Sequence, residues 1–91
     1  MRKASILQKT RKCFFCGRED VLHLHHVYEG ANKHVSDANG FTVWLCPEHH
    51  RQCHEEGLDK PLKAFTQKVY EKKHTRDEFL KLIGKNYRGE E

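Results

Sequence analysis

The chain has 91 residues, of which 33% are charged and 36% are hydrophobic, and its formal net charge is +4. So short a chain forms one domain at most and buries only about 60% of its unfolded surface, so it needs a staple such as a metal or disulfides. The sequence contains no apolar run long enough for a membrane span or a signal peptide. We therefore expect a cytoplasmic protein without a membrane partner and with a modest bias toward polyanions.

The first twelve residues are basic and lack acidic side chains. They predict a loose N-terminal arm over residues 1–12, in which Arg11 and Lys12 are candidate contacts to nucleic-acid phosphates. The alternative is a frayed terminus that only adds solubility.

The next elements are a cysteine knuckle, two strands and a helix. Cys13-Phe-Phe-Cys16-Gly17 is the knuckle, and residues 21–28 predict a strand whose alternation separates His23 and His25 from His26. Turn-forming residues predict a loop over 29–40, and residues 41–45 predict a second strand. Pro47 suits the first position of a helix, which we expect to end at Gly57.

The C-terminal part predicts two further helices. Asp59 is the expected cap of the first, and an apolar stripe at helical spacing marks its core face: Leu62, Phe65, Val69 and the stem of Lys72. Thr75 and Glu78 form a capping box before the second helix, and Gly84 ends it. Residues 88–91 are the expected tail.

Two ligand pairs about thirty residues apart indicate a structural zinc site. Cys13 and Cys16 form the first pair, and Cys46 and His49 form the second. Tetrahedral Zn²⁺ takes four such soft or borderline ligands. Cys53 lies one turn after His49 on the same helix face, so it could replace His49 at the zinc. Otherwise Cys53 is a small buried thiol.

Seven histidines remain once His49 is set aside, and four of them fit a second site: His25, His26, His50 and His54. His50 and His54 are one turn apart on a single helix face, as in many metal pairs. His49 points roughly 100° away from His50, so the helix favours two separate sites. His25 and His26 are adjacent on the first strand and can serve one site only if a bulge or the strand end re-aims one of them.

These motifs resemble the HNH endonuclease family, in particular the small HNH proteins of phages and prophages. The matching segments are Leu24-His-His-Val27, a Gly30-Ala-Asn-Lys33 loop, Phe41 to His50 followed by His54, and Arg76 to Tyr87. The resemblance implies an α+β fold, a zinc-stapled ββα-metal domain with two additional C-terminal helices. It would span residues 13–87, with the ββα-metal core at 21–57 and the helices at 59–84.

The resemblance also implies site roles. His25, His50 and His54 would hold one catalytic divalent metal (Mg²⁺, Mn²⁺, Ni²⁺ or Zn²⁺), and His26 would be the general base. Asn39 is the choice for the family's middle asparagine, since the usual position holds Phe41. Lys33, in the matching loop, and Arg51, beside the metal pair, are candidate phosphate contacts. An exposed helix arginine with no such role is an equal alternative for Arg51.

The implied function is hydrolysis of DNA phosphodiester bonds, with double-stranded DNA as the expected substrate. The alternative is a non-catalytic, zinc-stabilised DNA-binding module of a phage assembly, and a third possibility is an RNA nuclease. Phage packaging components are the protein partners that the resemblance suggests. The sequence pattern specifies no oligomeric state.

Overall fold

A computed structural model describes residues 4–88, so the first residues of the predicted arm and the end of the predicted tail lie outside the described residues. The elements in chain order are β1 (His23–His26), a 3-10 turn (Gly30–Asn32), α1 (Lys33–Asn39), β2 (Thr42–Leu45), α2 (Pro47–Glu55), α3 (Asp59–Tyr70) and α4 (Arg76–Ile83). This small α+β fold agrees with the predicted class. Within residues 4–88, no helix is long and apolar enough to cross a membrane.

The two strands form an antiparallel sheet in which His25 lies opposite Val43 and Leu24 lies opposite Trp44. The predicted alternation is confirmed, because His23 and His25 both contact His50 of α2. His26 instead contacts α1, which packs on the other side of β1. The sheet therefore has an inner face toward α2 and an outer face away from it.

The predicted loop over 29–40 is wrong, because most of it is helical. Turn-forming residues are also tolerated in a short helix when tertiary contacts hold it. Here the buried Ser36 side chain donates a hydrogen bond to the Tyr28 carbonyl (2.7 Å) and accepts one from the Tyr28 N–H (3.2 Å). Gly40, with φ of +75°, ends α1 in the left-handed conformation.

The predicted loose arm is also corrected, since its described part packs along β2. The Ile6 N–H donates to the Gly40 carbonyl (3.0 Å), and the Ser5 hydroxyl donates to the Thr42 carbonyl. The Trp44 N–H donates to the side-chain oxygen of Gln8 (2.6 Å). The prediction considered only the charge of the arm, whereas the hydrogen bonds of Ser5, Ile6 and Gln8 determine its position.

The core is an aromatic cluster that joins β1, β2 and the C-terminal helices. The Tyr28 ring lies 5.4 Å from Phe41 and 5.6 Å from Phe79, and Phe41 lies 5.5 Å from Tyr70. The Tyr28 hydroxyl donates to the Lys63 carbonyl of α3 (2.6 Å), so the buried ring keeps a partner for its polar end. This cluster connects α3 and α4 to the segment just after β1 and the segment just before β2.

The helix predictions hold in α2 and α4 and are partly wrong in α3. α2 begins at Pro47, and the Thr75–Glu78 capping box of α4 is present with Gly84 as its end. α3 begins at Asp59 itself, with Leu58 at the cap position.

The buried face of α3 also differs from the predicted stripe. Leu62 and Thr66 are fully buried, whereas Phe65 is 45% exposed and Lys72 is exposed. The face of α3 that packs against the core is therefore the one with Leu62 and Thr66, and Phe65 is left at the surface.

Candidate metal centre

Four of the predicted zinc ligands come together at the start of α2. Cys13 and Cys16 lie on the knuckle before β1, while Cys46 is the N-cap residue of α2 and His49 lies in its first turn. Their ligand atoms all lie within 4.8 Å of one another. The cluster can therefore hold a metal ion such as zinc, and we call these four residues the cysteine–histidine cluster.

The distances within the cysteine–histidine cluster match a tetrahedral zinc site. Zinc with Zn–S bonds of about 2.3 Å and Zn–N bonds of about 2.0 Å separates two sulfur ligands by about 3.8 Å and a sulfur from a nitrogen by about 3.5 Å. The sulfur atoms of Cys16 and Cys46 are 3.8 Å apart. His49 Nδ1 lies 3.5 Å from the sulfur of Cys13 and 3.2 Å from that of Cys46.

The backbone around Cys13 favours the thiolate form of this residue. At Cys16 a hydrogen bond from the Arg18 backbone lowers the pKa, but desolvation and the neighbouring thiols of Cys13 and Cys46 outweigh it and raise the pKa. Gly17 has a φ of +79°, which lets the chain turn back so that its N–H donates to the Cys13 carbonyl (2.9 Å). Burial raises the pKa of the Cys13 thiol, but hydrogen bonds from backbone N–H groups, led by that of Cys46, outweigh it and lower the pKa to about 6. A thiolate is thus available near neutral pH.

Cys53 lies outside the cysteine–histidine cluster. It is 3% exposed and packs in the hydrophobic core, and burial raises its pKa to about 11. These are the properties of an inert buried thiol. Of the two alternatives for the fourth ligand, the geometry brings His49 to the cysteines.

A second cluster consists of His25 on β1 with His50 and His54 on α2, and we call it the three-histidine cluster. Each residue offers one ring nitrogen, and these atoms lie within 4.8 Å of one another. The Nε2 atoms of His50 and His54 are 3.2 Å apart, close to the separation of about 3.3 Å between two nitrogen ligands of a tetrahedral metal. The three-histidine cluster can therefore also hold a metal ion.

His25 has one ring nitrogen that is buried without a hydrogen-bond partner among the described residues, as expected of an atom that binds a metal. Its Nε2 is the one buried side-chain nitrogen or oxygen within residues 4–88 that has no hydrogen-bond partner. Burial, and then the charges of His50 and His54, lowers the pKa of His25 to about 4. The imidazole is therefore neutral at pH 7, as a metal ligand must be, and an unpaired buried nitrogen is costly unless something binds it.

The opposite nitrogens of the same three rings have partners of their own. His50 Nδ1 lies 3.0 Å from Nδ1 of His23, and the Glu29 carboxylate lies 3.6 Å from His25 Nδ1 and 4.0 Å from His54 Nδ1. The His23 contact is within hydrogen-bond distance and can orient the His50 ring, whereas Glu29 is a nearby negative charge beyond that distance. Sequence reasoning missed Glu29, although its position four residues after His25, just past the strand, was a usable signal.

His26 points away from α2 yet borders the same cleft as the three-histidine cluster. It is the last residue of β1, and the cleft, of about 250 Å³, is lined by His25, His26, His50, His54 and Lys33 among others. We call it the histidine cleft. His26 Nε2 lies 2.7 Å from the Asp37 carboxylate of α1. Asp37 was missed because residues 29–40 were predicted to be a loop, so its helical position beside β1 was not foreseen.

The other predicted site residues are dispersed. Lys33 is the one that lines the histidine cleft. Asn39 is not brought to the histidines, since its side chain donates to the Val35 carbonyl (2.9 Å) and lines a separate cleft beside Tyr70 and His74. Arg51 pairs with Glu48 of α2 (2.7 Å) and with Glu56 just past its end (2.9 Å), and these bonds raise its pKa.

Arg11 and Lys12, the candidate phosphate contacts in the arm, do not line the histidine cleft. The Arg11 guanidinium stacks over the Trp44 ring at 4.6 Å, and Lys12 is exposed near the knuckle.

Neither a protein-family model nor a curated protein nor a solved structure matches this chain. The resemblance to HNH endonucleases therefore remains a hypothesis that rests on the residues quoted for it.

Proposed function

We propose that this chain is a metal-dependent endonuclease of the HNH type that hydrolyses DNA phosphodiester bonds. The observation that carries the proposal is the buried Nε2 of His25, which has no hydrogen-bond partner within residues 4–88 and lies beside His50 and His54. The open cleft at these residues is also bordered by His26, whose ring pairs with Asp37. A purely structural histidine cluster would need neither an open cleft nor a carboxylate-paired histidine. The order β1, β2, α2, which carries all three ligands, is consistent with a ββα-metal unit.

The donor set fits a divalent cation. Three imidazoles leave coordination positions free, and a cation bound there supplies charge stabilisation to a phosphoryl oxygen and to the leaving oxygen. Nitrogen ligands favour Zn²⁺, Ni²⁺ or Mn²⁺, and Mg²⁺ becomes competent when phosphate oxygens complete the shell. A zinc ion held by the cysteine–histidine cluster would have a separate, structural role.

His26 and Asp37 supply the proton transfer. The Asp37 carboxylate accepts the hydrogen bond from the Nε2–H of His26, which leaves the lone pair of Nδ1 free. A neutral imidazole held in this tautomer can accept a proton from a water molecule. Asp37 thus positions His26 and stabilises the imidazolium that forms.

The cleft also suits a phosphate. Lys33 lines the cleft, so a positive charge belongs to its wall together with the three imidazoles. Together with the net charge of +4, this favours an anionic backbone as substrate. Arg51 is a weaker candidate for such a contact, because three carboxylates already compete for its guanidinium.

Plasmid cleavage tests the proposal. Supercoiled DNA is incubated with zinc-loaded protein and added Mg²⁺, Mn²⁺, Ni²⁺ or Zn²⁺, and nicked and linear products are measured. His26→Ala and His54→Ala should abolish cleavage, whereas His74→Ala should retain it, because His74 stacks on Tyr70 in another cleft.

No cleavage with any metal by the folded, zinc-loaded protein would refute the enzyme. If that protein still bound DNA, the zinc-stabilised binding module would be the better description.

A further inference from the structure

A second, larger cleft lies on the outer face of the sheet, beneath the N-terminal arm. Its volume is about 560 Å³, and its lining comes from the arm on one side and from β1 and β2 on the other. We call it the arm groove and define it by Lys9, Arg11, Leu24, Thr42 and Trp44. The metal sites do not account for this groove.

Trp44 gives the arm groove an aromatic wall. It is the single tryptophan of the chain, and its half-buried ring lines the groove. Arg11 stacks over this ring at 4.6 Å, which leaves the N–H groups at the rim of the guanidinium free to bind an anion. An aromatic ring next to an arginine is the combination that holds bases and phosphates of unpaired nucleic acid.

The charged side chains that line the arm groove are all positive. Lys9 and Arg11 line it, and no acidic side chain does so among its described lining residues. Within residues 4–88, Arg11 takes part in no ion pair, in contrast to Arg51 with its three acidic partners. The groove therefore complements a polyanion and keeps its cations available.

The arm groove adjoins the histidine cleft. Leu24 lines both, Trp44 lies directly opposite Leu24 across the sheet, and His26 follows Leu24 by two residues on the same face. Strand rise and spacing place the backbones of Trp44 and His26 about 8 Å apart. Two or three stacked nucleotides cover that distance.

We propose that the arm groove binds single-stranded nucleic acid. An unpaired base takes the place of the Arg11 guanidinium on the Trp44 ring, and the strand continues toward His26 and the histidine cleft. The inference deepens the proposed nuclease function and rests on it for the position of the scissile bond. Unpaired bases are required because a duplex keeps the faces of its bases stacked on one another, out of reach of the Trp44 ring. Substrates with unpaired nucleotides beside the cut would thus be preferred over continuous duplex.

Binding is measured without added catalytic metal, so that no cleavage interferes. Trp44 fluorescence is followed while an oligothymidylate of about twelve nucleotides is added, and a duplex of equal length is compared. We expect the single strand to quench Trp44 and to bind more tightly than the duplex. Unchanged fluorescence at saturating oligothymidylate would overturn the inference.

Two variants and a matched control identify the contact, with fluorescence anisotropy of a labelled oligonucleotide as the readout. Trp44→Leu should weaken single-strand binding roughly tenfold. Arg11→Gln, on the surface, should weaken it severalfold and lower the salt slope by about one. Lys73→Gln removes the same charge on an exposed site beside another cleft and should change affinity less than about twofold. Equal affinities for Arg11→Gln and Lys73→Gln would refute the groove, even if Trp44→Leu fails to fold.

The two proposals can fail separately. Single-strand binding through Trp44 without cleavage of any substrate would retain the groove and remove the nuclease. Cleavage of plasmid by wild type and Arg11→Gln at equal rates, with no preference for unpaired DNA, would retain the nuclease and remove the groove.

Discussion

Replacing Cys46 by serine tests whether the cysteine–histidine cluster holds the fold together. Cys46 is 2% exposed and stands where β2 ends and α2 begins. Its sulfur lies 3.8 Å from that of Cys16 and 3.2 Å from His49 Nδ1. Serine keeps the size but removes the thiolate, so the knuckle loses one of its two ligand partners at the start of α2 and only His49 remains.

The expected loss is comparable to the total stability of the domain. At about 0.05–0.15 kcal/mol per residue, a chain of this length has a free energy of unfolding of about 5–14 kcal/mol. Structural zinc contributes about 10–16 kcal/mol in small zinc-dependent domains. Cys46→Ser should therefore abolish the cooperative thermal transition or lower Tm far below that of the wild type.

The assay is thermal unfolding by circular dichroism together with the zinc content of each purified protein. Cobalt substitution distinguishes the two sites, because only the cysteine–histidine cluster gives thiolate-to-cobalt charge-transfer absorption. Cys53→Ala is the matched control, since it removes a buried thiol outside the cluster. It should retain the cobalt–thiolate signal and cost only about 1 kcal/mol of packing.

A Cys46→Ser protein that lacks zinc and still melts at the wild-type temperature would refute the structural role. Loss of the cobalt–thiolate signal in Cys53→Ala would show that the ligand set is wrong.

Three further predictions follow from individual contacts. Asp37→Asn should lower the plasmid cleavage rate about tenfold to a hundredfold at unchanged zinc content, because the amide no longer holds His26 in the required tautomer; an unchanged rate would contradict it. Gly40→Ala and Gly57→Ala both force a side chain into positive φ, at about 1–3 kcal/mol. Urea unfolding should show the larger loss of unfolding free energy for Gly40→Ala, because the new Cβ would clash with the Ala4 carbonyl oxygen of the arm. At Gly57 the new Cβ meets nothing within 4 Å. Equal losses for the two variants would mean that the arm is not docked. Burial raises the pKa of Glu71, but hydrogen bonds from neighbouring amide and guanidinium groups outweigh it and lower the pKa. Its stabilisation is thus complete above the unfolded value of about 4.3 and lost as the pH falls through the lower folded value. Glu71→Gln should cost about 1–3 kcal/mol at pH 7 and little in strong acid, and a difference independent of pH would contradict this.

Local spacing predicted the parts of the site that depend on one or two turns of chain. The pairs Cys13–Cys16 and Cys46–His49 and the one-turn spacing of His50 and His54 required only knuckle and helix geometry. Strand alternation likewise predicted that His25 and His26 face opposite sides. Each of these follows from fixed backbone periods, which tertiary packing seldom overrides.

The features that sequence did not predict depend on contacts between distant segments. Residues 33–39 have weak helix propensity, and α1 forms because Ser36 binds the backbone of Tyr28 and Gly40 ends the helix. Asp37 reaches His26 only through that helix. Phe65 looked like a core residue from its spacing, but the orientation of α3 is set by Leu62 and Tyr28 on neighbouring elements.

The docked arm has a consequence for self-association. The Ser5 hydroxyl, the Gln8 side chain and the Phe14 N–H satisfy the outward-facing backbone groups of Thr42 and Trp44. A strand of another molecule would use the same backbone groups to add to the sheet. By occupying them, the arm protects the edge of β2 from edge-to-edge aggregation. A chain lacking residues 1–8 should form concentration-dependent oligomers in light scattering while the full chain does not. The basic N-terminus would thus keep the protein monodisperse in addition to any contact with nucleic acid.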